Sequence, residues 1–110
     1  MTEAPAQHRE LASGRWGKLS LPEQLGNIGS EVSRMLRARG ERSRNAAFER
    51  ALELVDLTLA DPRWRGRRKE IARARELLCD AAAGGKDYGT RLEDLDRYFL
   101  AFAMLARRGH

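Results

Sequence analysis

Residues 20–37, SLPEQLGNIGSEVSRMLR, combine a helix start with a single apolar stripe. Ser20 can cap free backbone N–H groups, Glu23 can complete a capping box, and Pro22 is tolerated in a first helical turn. The apolar residues then recur at intervals of three or four, which places them on one helical face: Leu21, Leu25, Ile28, Val32, Met35 and Leu36. The segment predicts an amphipathic helix over about residues 21–39.

The rest of the chain continues this helical periodicity, and no segment alternates as a strand would. Three further helices are predicted, over about residues 44–60, 65–83 and 91–107. Asp61-Pro62 and Gly84-Gly85 separate them, and Thr90-Arg91-Leu92-Glu93 repeats the capping-box pattern. Short loops between such helices predict an all-α domain over residues 15–108, an antiparallel up-down-up-down four-helix bundle. Residues 1–14 lack periodicity and predict a disordered N-terminal tail.

Composition agrees with a single helical domain. The chain has 110 residues, of which 34% are charged and 42% hydrophobic, a balance typical of amphipathic helices. Its net charge is +5, and only three of its 21 cationic side chains are lysine, so contact with polyanions is permitted. No run approaches the ~18–20 apolar residues of a membrane span, and the start MTEAPAQHRE lacks a signal-peptide pattern. These features predict a cytoplasmic protein that does not contact a membrane.

Histidine, the usual catalytic base and a common metal ligand, is missing from the predicted helices. His8 falls in the tail and His110 is the last residue, so no histidine is placed to act as a base or as a helical ligand. Cys79, the single cysteine, is predicted to be an inert buried thiol. We therefore expect a protein that is not an enzyme and binds no metal or cofactor. The carboxylates of the second and third helices are expected on solvated faces and in inter-helix ion pairs: Glu49, Glu53, Asp56, Glu76 and Asp80.

Cations concentrate at one end of the predicted bundle, where the start of the first helix, the loop after the second and the end of the fourth should meet. This basic end consists of Arg15, Trp16, Lys18, Arg63, Trp64, Arg65, Arg67, Arg68, Lys69, Arg107 and Arg108. Over residues 15–18, 61–69 and 107–108 the only acid is Asp61, which leaves a local charge of +8. Arginine binds phosphate with two hydrogen bonds and tryptophan can stack on an unpaired base, so RNA or single-stranded DNA is the candidate ligand.

A structural interpretation of the same residues stays open. The two tryptophans can close the bottom of the core, with the arginines solvated around them or bonded to the last carbonyls of the fourth helix. An arginine-preferring genome would also produce the excess of arginine over lysine.

Two features indicate contacts between helices or subunits. Gly26 and Gly29 lie beside the core stripe of the first helix, where the cost of a helical glycine suggests that another helix backbone comes close. Beside them, Asn27 and Glu31 form a polar stripe that suits a buried hydrogen-bond network at a helix or subunit contact. On the second helix, Leu54 and Leu57 fall outside the predicted core face, as in a helix that is central or packs on a second subunit. These six residues, Gly26, Gly29, Asn27, Glu31, Leu54 and Leu57, are the candidate interface for self-association or for another protein subunit.

The chain resembles a known group of proteins in three stretches: LSLPEQLGNIGSEVSR, then AFERALELVDLTLADPRWRGRRKEIARARELLCD, then RYFLAFAMLARR. Over about residues 16–108 it resembles a small uncharacterised prokaryotic family of stand-alone helical proteins, which implies a helical architecture and a cytosolic setting but no activity. In size, basicity and helix count it is also similar to the four-helix-bundle proteins of ribosomal-RNA intervening sequences. The accessory proteins of diversity-generating retroelements, basic oligomers that associate with reverse transcriptase and nucleic acid, are similar at the same level.

Together these observations favour a small basic adaptor that binds RNA or single-stranded nucleic acid through its basic end. The alternative is a protein-interaction or oligomerisation subunit with no role in nucleic-acid binding.

Overall fold

The computed structural model describes residues 14–108, and four α-helices pack together within them. The helices are α1 (Leu21–Arg37), α2 (Glu41–Ala60), α3 (Arg68–Ala82) and α4 (Leu92–Arg108). Two short 3-10 segments, Trp16–Lys18 and Pro62–Arg67, precede α1 and α3. No strand occurs in this described range, which confirms the all-α prediction. The tail predicted for residues 1–14 lies, except for Gly14, outside the described residues.

The start of α1 has the predicted capping box. The Glu23 backbone N–H donates to Ser20 Oγ at 3.2 Å, and the Ser20 N–H donates to Glu23 Oε1 at 2.8 Å. These two bonds satisfy donors that have no partner within the helix. The capping residues therefore determine where α1 begins.

Helix α1 is the centre of the domain, because it packs along both α2 and α4 while α3 makes fewer contacts with its neighbours. Its predicted stripe is buried from Leu21 to Met35. Phe99 of α4 and Ile71 and Leu78 of α3 complete the core from the other sides. The central position that the apolar surface of the second helix suggested belongs to α1 instead.

The core face of α2 includes a residue that the sequence prediction left outside it. The buried residues recur at intervals of three or four, which defines one helical face: Ala47, Ala51, Leu54, Val55 and Thr58. Leu54 is only 5% exposed, so it belongs to the core of this chain and not to a second face. Leu57 is half-buried against the same core.

Two helix starts differ from the sequence prediction by three residues. Helix α2 begins at Glu41 after extended backbone at Gly40, three residues before the predicted start. Helix α3 begins only at Arg68, because non-helical backbone at Trp64 (φ −102°, ψ 22°) interrupts the preceding 3-10 segment. At the start of α4, the Thr90 backbone N–H donates to the carboxylate of Asp80, 3.0 Å away.

The predicted ion pairs are present for some carboxylates and wrong for one. Asp56 of α2 accepts from Arg75 Nε of α3 at 2.8 Å, which is a pair between helices, whereas Arg73 pairs with Glu76 at 3.5 Å within α3. Asp80, expected on a solvated face, is instead buried under the loop that leads to α4. Cys79 is half-buried rather than buried. Among residues 14–108, no helix is long and apolar enough to span a membrane.

Candidate nucleic-acid interface

Three separate parts of the chain meet at the basic end. A cleft of about 540 Å³ is lined from the start of α1, from the α2–α3 connection and from the end of α4. Its lining residues are Ser20, Leu21, Pro22, Trp64, Arg67, Phe102 and Leu105. Of the eleven residues predicted for the basic end, Trp64 and Arg67 line this cleft.

The side chain of Gln24 joins the parts of this end. It is fully buried, and its Nε2 donates to the Trp16 carbonyl at 2.9 Å and to Asp61 Oδ2 at 3.2 Å. Its Oε1 accepts from Trp64 Nε1 at 2.9 Å. A buried amide costs free energy unless it is hydrogen-bonded, so this glutamine holds the two tryptophan segments in a fixed arrangement. Sequence reasoning missed it, although an amide next to the core position Leu25 was a usable signal.

Asp61 neutralises the nearest arginine. Its carboxylate accepts from the Arg63 backbone N–H at 3.0 Å and from Arg63 Nη2 at 2.7 Å. The hydrogen bond from the Arg63 side chain lowers the pKa of Asp61 to about 2, and it raises the pKa of Arg63. Arg63 Nη2 also donates to the Leu19 carbonyl at 2.8 Å. This arginine is therefore part of the structure that closes the end of the core.

Neither tryptophan offers a fully exposed ring on which a base could stack. Trp16 is only 3% exposed, so the predicted contact with a base is wrong for this residue. Trp64 is half-buried against the core, and the guanidinium of Arg63 lies 4.4 Å from its ring centroid. The interpretation in which both tryptophans close the core is the one that fits their burial.

Most of the other cations at the basic end remain exposed. Arg67 pairs with Glu70 at 2.6 Å, and Arg68 Nε donates to the Leu59 carbonyl at 3.2 Å, which leaves the charge of Arg68 unneutralised. Seven cations there have no ion-pair partner among residues 14–108: Arg15, Lys18, Arg65, Arg68, Lys69, Arg107 and Arg108. The surface around the closed core is thus strongly positive.

A second group of arginines, which was not predicted to form a site, lies at the turn between α1 and α2. Arg37, Arg39, Arg42 and Arg44 are all exposed there. They come from one short stretch of chain, whereas the cations of the basic end come from three. Because both groups consist of exposed cations, substitutions in the second group can serve as a control for substitutions at the basic end.

The candidate interface residues of α1 are used inside the chain. A Cβ atom on Gly29 would lie 2.6 Å from the Cβ of Phe99, and one on Gly26 would lie 3.1 Å from the Cα of Ala103. The close helix that these glycines predicted is therefore α4 of the same molecule. Glu31 accepts from Arg34 Nη1 at 2.7 Å and, across to α2, from Arg50 Nε at 3.1 Å.

The remaining predicted interface residues do not form a buried network with these. Asn27 is exposed, and its Nδ2 donates to the Glu23 carbonyl at 3.0 Å within α1. Leu57 lines an open cleft of about 480 Å³ beside Trp16 and Asp61. The six candidate interface residues therefore do not form one exposed surface.

A separate apolar cleft of about 400 Å³ lies between α3 and α4, lined in part by Leu77, Leu95 and Tyr98. Burial raises the pKa of Tyr98 to about 12, and its hydroxyl donates to Glu70 at 3.2 Å.

Within residues 14–108 no cluster of three histidine, cysteine or acidic side chains is placed to hold a metal ion. No protein-family model, curated protein or solved structure matches this chain.

Proposed function

We propose that this chain is a non-enzymatic adaptor that binds the phosphates of RNA or single-stranded DNA through its basic end. The observation that carries the proposal is the group of seven exposed cations without an ion-pair partner in residues 14–108, drawn from three parts of the chain. Phosphate contact requires exposed, uncompensated charge, and it does not require exposed aromatic rings. Because Trp16 is buried and the guanidinium of Arg63 lies over the half-buried ring of Trp64, the proposed contact is to the backbone of the nucleic acid and not to its bases.

The rigidity of the surface also favours this function. Gln24 and Asp61 hold the α2–α3 connection against the start of α1, so the cations on these segments are attached to a fixed frame. A preorganised surface loses less conformational freedom on binding than a flexible one. The cluster therefore suits binding better than an equal number of arginines on a loose tail.

The arrangement of helices is part of the proposal. We infer an up-down-up-down bundle, because the start of α1, the α2–α3 connection and the end of α4 line the same cleft. Alternate helix ends share one side in that topology. A cytoplasmic location would suit the proposed ligand.

The test is fluorescence anisotropy with a labelled single-stranded RNA over a range of salt concentrations. If most of the seven cations contact phosphates, we expect log K to fall with log salt with a slope of about −3 to −5. The variant Lys18→Ala/Arg65→Ala/Lys69→Ala removes three of them. It should weaken binding at least about tenfold and bring the slope nearer to zero by about 2.

The matched control is Arg37→Ala/Arg39→Ala/Arg42→Ala, which removes the same charge from the turn between α1 and α2. We expect this control to retain most of the affinity of the original chain. Absent or salt-insensitive binding would overturn the proposal, and so would equal losses in the two triple variants. Repeating the titration with duplex DNA and single-stranded DNA decides which form of nucleic acid is preferred.

A further inference from the structure

The cleft between α3 and α4 has an almost entirely apolar lining. Its volume is about 400 Å³, which falls in the range of small-molecule sites. Ala74 and Leu77 form its α3 side, and Leu95 and the ring of Tyr98 form its α4 side. Ala74 and Leu95 are buried, whereas Leu77 is half-buried and Tyr98 is 36% exposed. The proposed nucleic-acid surface uses none of these four residues.

Hydrogen bonds tie α3 to α4 at both ends of this cleft. At one end the Tyr98 hydroxyl donates to Glu70 Oε2 at 3.2 Å. At the other end the Thr90 backbone N–H, just before α4, donates to Asp80 Oδ2 at 3.0 Å. The two acceptors are about 15 Å apart along the axis of α3. These ties fix the separation of the helices, and the small side chain of Ala74 between them leaves the space open.

The charged groups at the rim of the cleft already have partners within the chain. Glu70, Arg73 and Asp94 line the rim, and each of them has an ion-pair partner. A charged ligand would therefore leave water for an apolar cleft without finding a free counter-charge, which is costly. An uncharged ligand meets no such penalty.

The ring of Tyr98 favours an aromatic ligand. It makes edge-to-face contacts with Phe99 and Phe102, whose ring centroids lie 5.1 and 5.2 Å from its own. Together with the hydrogen bond to Glu70, these contacts fix the ring as one wall of the cleft. A fixed aromatic wall can contact a flat ligand at little cost in conformational freedom.

We propose that the cleft between α3 and α4 is a binding site for an uncharged, largely apolar small molecule that contains an aromatic ring. Burial of the ligand against Ala74, Leu77 and Leu95 supplies the affinity, and the ring of Tyr98 orients it. We expect a Kd of about 10 to 100 µM for a ligand of two or three rings. The site goes beyond the proposed function, because its lining includes none of the unpaired cations of the basic end.

The test uses N-phenylnaphthylamine, an uncharged dye whose fluorescence rises in apolar surroundings. The full chain is titrated into the dye from about 1 to 500 µM, and we expect a saturable rise. Ala74→Leu fills the cleft from its α3 side and should weaken binding at least about tenfold. Ala82→Leu makes the same change at an exposed position of the same helix and should leave binding unchanged.

A second pair of variants decides the question if Ala74→Leu does not fold. Tyr98→Ala removes the aromatic wall and should weaken binding at least about fivefold, whereas Tyr98→Phe keeps the ring and should bind within about twofold of the original chain. Met104→Glu alters the exposed apolar side of α4 outside the cleft and should leave binding unchanged. Far-ultraviolet circular dichroism of each variant confirms that the helices are retained.

A charged dye of the same shape tests the chemical class of the ligand. Anilinonaphthalene sulfonate adds one sulfonate to the same rings, and the binding that Ala74→Leu removes should be at least about tenfold weaker for this dye. Absence of saturable binding of the uncharged dye would overturn the proposal. Equal binding to Ala74→Leu and Ala82→Leu would also overturn it, and so would a loss of binding in Met104→Glu or tighter binding of the sulfonate in the cleft.

Discussion

The two connections at opposite ends of α3 are each organised around one aspartate, but the partners of the two carboxylates differ in kind. Asp61, before α3, accepts from the Arg63 backbone N–H and mainly from two side chains, that of Arg63 and that of the distant Gln24. Asp80, at the end of α3, accepts from the backbone N–H groups of Asp87, Tyr88 and Thr90.

The difference decides what each end of α3 can do. The Asp61 carboxylate pairs with Arg63 and helps to close this end of the core. The other cations at the basic end are not neutralised by it. At Asp80 the carboxylate organises a loop in which Gly84, Gly85 and Gly89 have positive φ values, so backbone donors converge on one side chain. A carboxylate satisfied by backbone groups leaves nearby charges unaltered, whereas one satisfied by arginine lowers the charge available to a ligand.

The largest effect in this comparison should come from Asp80→Ala. The change leaves three backbone N–H groups of the loop without their acceptor, and orphaned backbone donors are costly. We expect the greatest fall in the urea midpoint of any variant in this comparison, measured by circular dichroism. Asp87→Ala, which removes an exposed carboxylate from the same loop, is the matched control. Equal midpoints for the two variants would mean that Asp80 does not organise the loop.

A smaller effect should follow from Asp61→Asn, which keeps an acceptor for the Arg63 backbone N–H but removes the charge. We expect the free energy of unfolding to fall by about 1 kcal/mol, because the ion pair is partly screened by solvent. Because Arg63 then loses its counter-charge, affinity for single-stranded RNA should rise slightly. A variant as stable as the original chain would show that the ion pair contributes nothing to closing this end of the core.

The smallest effect should be a difference in acid sensitivity. The pKa of Asp61 is lowered to about 2 by Arg63. Burial alone would raise the pKa of Asp80, but hydrogen bonds from Thr90, Asp87 and Tyr88 lower it. The pKa of an aspartate in an unfolded chain is about 3.9. A carboxylate with a lower pKa in the folded chain stabilises the fold at pH values above about 3.9. That stability is lost as the pH falls through the folded pKa.

Urea midpoints measured between about pH 5 and pH 2 check this prediction. The original chain should lose stability as the pH falls through this range, and Asp61→Asn and Asp80→Asn should each lose less of it. A steeper loss in either variant would contradict the assignment of that carboxylate.

Much of the fold could be predicted from local patterns. The capping box at Ser20, the stripe from Leu21 to Met35 and the helix breaks at Pro62 and Gly84 act over a few residues, so the number of helices follows from them. The buried face of α2 was harder to predict, because Leu54 and Leu57 fit either of two overlapping apolar faces. Only packing against α1 selects between them.

The candidate site was predictable in position but not in detail. The start of α1, the α2–α3 connection and the end of α4 line one cleft, although of the eleven predicted residues only Trp64 and Arg67 line it. Which side chains stay free depends on contacts between distant residues. Trp64 bonds to Gln24, forty positions away, and Asp61 bonds to the same glutamine.

The sequence by itself therefore determines four helices and their approximate limits, because hydrophobic period and capping are local properties. Tertiary structure alone decides that α1 is central, that Trp16 is buried while Trp64 is half-buried, and that Asp80 is buried. It also decides that α4 keeps an apolar face exposed. Burial is a property of the neighbours that a residue acquires on folding, and those neighbours come from every part of the chain.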